Sequence, residues 1–229
     1  MKNRCLVAAF SLLELLVVVG LIGVLSAVVI GDKGTRGSAR ALQSAQALLF
    51  NLLASARTTA MASGKSSRVL VQMDAANPSR PSRYLRYLAL QIQTPNGWQA
   101  LTEMSLPEGV FVVPGNLSAL PAGLFSDAAE SAWTKSDGTA LRSTALRENQ
   151  IVSETIAAGV TEQWASIILA PSGSTNQAGD IILAIGQLRS PASFRLGESP
   201  VALTHAALVR GVSLSSYGVP ALIHDRSGF

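Results

Sequence analysis

Cysteine is all but absent. The single thiol, Cys5, lies near the N-terminus, which excludes an internal disulfide framework and a zinc site built on cysteines. Histidine is nearly as scarce: His205 and His224 are far apart in sequence, and neither has a second ligand at metal spacing. Aromatic residues make up 5% of the chain and charged residues 14%, against 48% hydrophobic, a balance that excludes a disordered polypeptide. One apolar run alone is long enough to cross a bilayer, so a many-spanning membrane protein is excluded as well. There is no internal repeat of solenoid length. HExxH, GxSxG and GxxxxGK[ST] do not occur. Residues 31–37 hold three glycines, but no Gly-Lys-Ser/Thr closes them into a phosphate loop. Lys135-Ser136-Asp137-Gly138 offers one acid on a turn, short of a calcium loop, and Glu103 and Glu108 lack the geometry of an acid/base pair. The expectation is a non-enzymatic protein that uses no metal and no cofactor.

What is present is unevenly placed. The net charge is +4, yet residues 33–86 hold nine bases (Lys33, Arg36, Arg40, Arg57, Lys65, Arg68, Arg80, Arg83, Arg86) and one acid, Asp74. Residues 102–162 reverse this, with eight acids and three bases. Such asymmetry fits an anionic partner, two complementary faces of an assembling subunit, or a solvated surface with uneven charge.

The N-terminus carries most of the functional signal. Lys2 and Arg4 precede an apolar run over 10–30, FSLLELLVVVGLIGVLSAVVI, that spans roughly 30 Å as a helix. Basic residues before the run and a large remainder after it predict a cytoplasmic N-terminus and an exported C-terminal bulk. A cleaved secretory signal, cut after Ala27, is the competing reading, but the run is long for one and Glu14 sits inside it. An intramembrane carboxylate calls for a partner; the alternative is an acid near a helix end that reaches the interface. A cut between Ala9 and Phe10 would place a new α-amino group one helical turn from Glu14, on the same subunit or on a neighbour. Pairing makes a buried charge tolerable.

Residues 9–17, Ala-Phe-Ser-Leu-Leu-Glu-Leu-Leu-Val, resemble the prepilin-type cleavage and methylation motif of type IV pilins and type II secretion pseudopilins. The resemblance implies that a dedicated peptidase cuts before Phe10 and methylates its amine, and that Glu14 serves assembly. Ala9 stands where the family usually has Gly, the smallest possible departure.

Downstream, 38–63 reads as an amphipathic helix, with Leu42, Ala45, Leu49, Leu52, Leu53, Ala56 and Ala60 at three- and four-residue steps and a stop at Gly64. The glycines of 31–37 weaken the helix between its membrane half and this half. Beyond Gly64 the period changes to two. Strands are expected at 67–73, 84–93, near 109–113, at 166–170 and 180–187, and around 201–210 and 212–223. Pro95-Asn96-Gly97 is a turn leading into Trp98, which reads as core filling, with a surface anchor for a partner as the alternative; Trp133 and Trp164 are unplaced. The stretch 114–150 is a long mixed excursion with room for a short helix.

This order resembles the GspH/FimT-type pseudopilins and minor pilins, through Ala56-Arg57-Thr58-Thr59-Ala60, Trp98 with Leu106-Pro107-Glu108-Gly109-Val110, and Ile168-Leu169-Ala170-Pro171-Ser172-Gly173; residues 114–165 have no counterpart. Tyr87-Leu88-Ala89-Leu90-Gln91 also looks like the cassette protein D subgroup of pilin-like proteins known from Verrucomicrobia. The fold expected is α+β: a long N-terminal helix, half transmembrane and half amphipathic, packed on a β-rich globular domain. The organisation expected is a leader over 1–9, a transmembrane and assembly half over 10–30, a glycine joint and amphipathic half over 31–63, and a β-rich periplasmic domain over 64–229 with a variable excursion at 114–165. The resemblance implies a filament subunit held in the cytoplasmic membrane by residues 10–30. Its implied partners are a prepilin peptidase, sibling pilins or pseudopilins, an inner-membrane assembly platform and membrane lipid. Two alternatives stand beside it. One is a DNA-uptake minor pilin that binds DNA through Arg80, Arg83 and Arg86. The other is a signal-anchored periplasmic enzyme or binding module.

Overall fold

The computed structural model describes Val18 and residues 35–75, 81–115, 117, 120–125, 133–135, 137–155, 160–190, 195 and 197–229. The chain divides into two units, Met1–Gly37 and Ser38–Phe229. In the first, Val18 is helical and Thr35 opens helix α1, Thr35–Ser63. The expected leader, the apolar run apart from Val18, and Gly31 and Gly34 lie outside the described residues. No helix among the described residues is long and apolar enough to cross a membrane. Gly37, one of the three glycines expected to soften the joint, stands inside α1.

Good helix formers fill α1 (Ala, Leu, Gln and Arg, with no proline), and Gly64 ends it at φ +63°, a left-handed cap that a Cβ would strain. All seven residues of the expected apolar stripe are 3% exposed or less. Strands follow as β1 Ser67–Gln72, β2 Tyr87–Thr94, β3 Gly97–Ser105, β4 Val110–Val112, β5 Ile151–Thr155, β6 Thr161–Leu169, β7 Gly179–Leu188, β8 Val201–Leu203, β9 Val209–Leu214 and β10 Pro220–Ile223. They form two antiparallel five-stranded sheets, one in the order β3-β2-β1-β6-β5, the other β10-β9-β7-β4 with β8 added beside β7. The main core lies where α1 meets both: Leu42, Leu49 and Leu53 pack with Val69 and Val71, Leu88, Ile167, and Ile181 and Leu183. One helix on a β-rich domain is the α+β arrangement.

Several boundaries differ from the sequence expectation. The strand expected from residue 84 starts at Tyr87, because Leu85 takes φ +57°. Its N–H donates to Gln72 O at 2.9 Å and its carbonyl accepts from Val112 N at 2.7 Å, so this one residue ties the first sheet to the second. The tail holds three strands rather than two. Strand β5 lies inside the stretch without expected strands, and β6 begins ahead of residue 166. Among the described residues of 114–150 the helical element is a short 3-10 turn, Glu148–Gln150, at its end. The excursion instead covers the second sheet's far face, where Leu124, Trp133 and Leu141 pack on Phe111, Ile182 and Ala184. That is why β7 reads as a continuous apolar run: it is buried on both faces.

Candidate functional site

Of the site residues singled out from sequence, Ala9, Phe10, Glu14 and Arg80 lie outside the described residues. Arg83 and Arg86 sit on the link between β1 and β2, and both guanidinium groups turn to protein partners. Arg86 Nε donates to Leu106 O at 2.7 Å. Arg83 Nη1 lies 3.4 Å from Glu162 Oε2, with side chains 12% and 2% exposed. Its guanidinium carbon stands 3.8 Å over the Tyr87 ring and 5.8 Å from the Trp164 ring. A row of arginines facing DNA phosphates therefore has Arg83 occupied elsewhere.

Strand alternation builds this cluster. Val69 and Val71 face α1, so Arg68, Leu70 and Gln72 take the opposite, outer face of β1. Gln72 pairs with Trp164 across β1 and β6, and Leu70 with Ser166, putting all four on that face. Arg68 donates to Gln91 Oε1 at 2.7 Å, lies 4.2 Å over the Trp98 ring and forms an ion pair with Glu154. Burial lowers the Arg68 pKa, and the hydrogen bond and charge of Glu154 work against that. The Tyr87 hydroxyl donates to Glu103 Oε2 at 2.5 Å, and burial, then Glu103, raises its pKa.

The Arg68–Glu154 pair also shows how this face is closed. Arg68 stands opposite Ile168 and Glu154 opposite Glu162. At about 3.3 Å per residue, those two positions are roughly 20 Å apart along a straight β6. The side chains meet, so the β5–β6 ribbon curls over the outer face of its own sheet. This curl buries Arg68 and Glu162, which no local pattern in the sequence announces.

The enclosure is polar and incompletely bonded. Arg83 Nε and Nη2, Trp164 Nε1, Ser166 Oγ and Gln72 Oε1 are buried without a hydrogen-bond partner. Each such group costs about 1–3 kcal/mol, so the cluster is held by its aromatic stacking and ion pairs against a standing penalty. Trp98, expected as core filling, is only half-buried on the edge strand beneath Arg68; Trp133 and Trp164 are the two fully buried tryptophans. Arg83→Ala is expected to lower unfolding stability by about 2 kcal/mol, because Glu162 stays buried without that cation. Arg83→Met, which keeps the packing and removes the unpartnered donors, should cost less. Chemical denaturation of both variants checks this, and equal losses would contradict it.

No protein-family model matches the chain, and no curated protein matches it either. Among solved structures, it is similar to the minor pseudopilin EpsH of the Type 2 Secretion System of Vibrio cholerae. The identity is 18% and the TM-score 0.36, covering 80% of this chain and 94% of that one. A second structure of the Vibrio cholerae minor pseudopilin gives 16% identity and a TM-score of 0.35, covering 80% of this chain and 95% of that one. Both scores are too low to show a shared fold.

Proposed function

We propose that this chain is a minor pseudopilin or pilin-like structural subunit, cut by a prepilin peptidase between Ala9 and Phe10 and assembled into a filament through its N-terminal segment. One observation carries the reading: the motif at 9–17 precedes a helix whose apolar stripe is already buried on its own β-rich domain. With that stripe occupied, α1 does not offer it to a neighbouring subunit, and the reading assigns that contact to the apolar run over 10–30 in the sequence. Before assembly the subunit waits in the cytoplasmic membrane, with its N-terminus in the cytoplasm and its globular domain in the periplasm. Its partners are sibling pseudopilins and an inner-membrane platform. Its role is mechanical and needs no cofactor or catalytic group.

Intact-mass and N-terminal peptide analysis of the protein from its native membrane tests this. The expected mature chain begins at Phe10, with or without a methyl group. A start at Met1 would make the chain a plain signal anchor, and a start near Val28 a secreted soluble protein. Either would end the filament reading.

A further inference from the structure

The hairpin that joins β2 to β3 turns on two residues, Pro95 and Asn96, and Gly97 opens β3 opposite Thr94. The chain has seven asparagines, and Asn96 alone precedes a glycine. Asn96 and Gly97 are both exposed, and among the described residues no hydrogen bond holds the Asn96 side chain. Gly97 takes φ +113°, and Thr94 Oγ1 donates to its carbonyl at 2.8 Å. A Cβ placed on Gly97 would meet nothing within 4 Å, so no neighbouring group crowds that side of its backbone.

Asp137-Gly138 is the comparable pair in the chain, a side-chain carbonyl one residue ahead of a glycine at φ +81°. Its side chain is restrained: Thr139 N and Oγ1 donate to Asp137 Oδ1 at 2.9 and 2.7 Å. These bonds, the hydroxyl's first, lower the Asp137 pKa, so at neutral pH it stands as a carboxylate, whose carbon resists attack by a nucleophile. Asn96 is a neutral amide under no such restraint. Asn149 and Asn176 are exposed too, but each is followed by Gln, whose side chain crowds the backbone nitrogen.

We infer that Asn96 is a site of spontaneous deamidation through a cyclic imide with Gly97. The Gly97 backbone nitrogen attacks Asn96 Cγ; the new N–C bond forms as the Cγ–NH2 bond breaks, and the amide leaves as ammonia with the proton from Gly97 N. Water then opens one of the two imide C–N bonds. Cleavage at one gives aspartate in a normal chain, and cleavage at the other gives isoaspartate, with Cβ in the main chain. Water is the co-reactant, and no enzyme or oxidant takes part. The product changes this end of the domain. Pro95 lines a cavity of about 320 Å³ in which Lys65 is the one charged residue of the lining, exposed and without an ion pair among the described residues. Deamidation puts a carboxylate one residue from that lining, and the isoaspartyl form also lengthens the turn that sets the β2–β3 register. This chemistry is independent of any filament role.

Incubation of the detergent-solubilised full chain in heavy-oxygen water at mildly alkaline pH, followed by peptide mapping, is the test. The peptide spanning residue 96 is expected to lose its amide and gain one heavy oxygen, split between aspartyl and isoaspartyl forms. It should do so about tenfold faster than Asn149, Asn176 or Asp137 changes. Asn96→Gln, which would need a larger ring, should keep its amide over the same period. A synthetic peptide of residues 94–99 serves as the unfolded reference, and the folded chain should follow it more slowly but to completion. Aspartate without isoaspartate would mean direct hydrolysis and would overturn the imide. Retention of the Asn96 amide after the reference peptide has converted, equal loss in Asn96→Gln, or equal labelling at Asn149, Asn176 or Asp137 would overturn the site.

Discussion

Gln46→Ala is expected to destabilise the folded domain by about 3 kcal/mol, the largest loss from any polar side chain on α1. Gln46 is 2% exposed in the middle of an apolar stripe. Its Nε2 donates to Gly211 O and to Ile223 O, both at 2.7 Å, and its Oε1 accepts from Arg210 Nη1 at 3.2 Å. One amide thus ties α1 to β9 and β10 at once. Removing it takes that amide from the buried Gly211 carbonyl and from the partly buried Ile223 carbonyl and Arg210 guanidinium, and an unmade buried hydrogen bond costs more than a made one contributes. Gln46→Leu fits the stripe by size but should not rescue, since it leaves the same groups unbonded. Urea denaturation gives the magnitude, and hydrogen exchange locates it: amides of β10 should lose protection before those of β1. A loss under about 1 kcal/mol would show that those carbonyls find other partners.

Glu14→Ala is expected to abolish most filament incorporation while leaving membrane insertion and leader removal intact. In the proposed assembly the carboxylate meets the α-amine freed at Phe10. Deleting one member of a buried ion pair costs about 3–5 kcal/mol, enough to lower incorporation by about 100-fold or more. Glu14→Gln keeps the size and loses the charge, so it should fail in the same way. The readout is the fraction of mature subunit in sheared filaments relative to membrane. Normal incorporation of either variant would sink the pairing, though leader removal at Phe10 would still stand.

The helix and most strands were legible because their signals are local. Leu42, Leu49, Leu53 and Ala60 recur at helical spacing, and each is fully buried. Gly64 stops the helix where expected, and the Pro95-Asn96-Gly97 turn joins β2 to β3, with Gly97 at φ +113°. What failed was contextual. Gln46 lies four residues after Leu42 and three before Leu49, so its place on the stripe could have been read, but not the carbonyls awaiting it. Leu85 belongs to an apolar alternation that predicts a strand. It leaves that strand because its backbone is wanted by two sheets.

By itself, then, the amino-acid order determined the period of each element, the charge asymmetry, and the run over 10–30 with its one carboxylate, since each depends on neighbours a few positions away. The partners of Gln46, the bend that brings Glu154 to Arg68 and the burial of Trp133 and Trp164 were decided only by tertiary structure. Most of these contacts join residues far apart in the chain, and all depend on how sheets and loops fold over one another. No short-range pattern encodes such a pairing before the fold has made it.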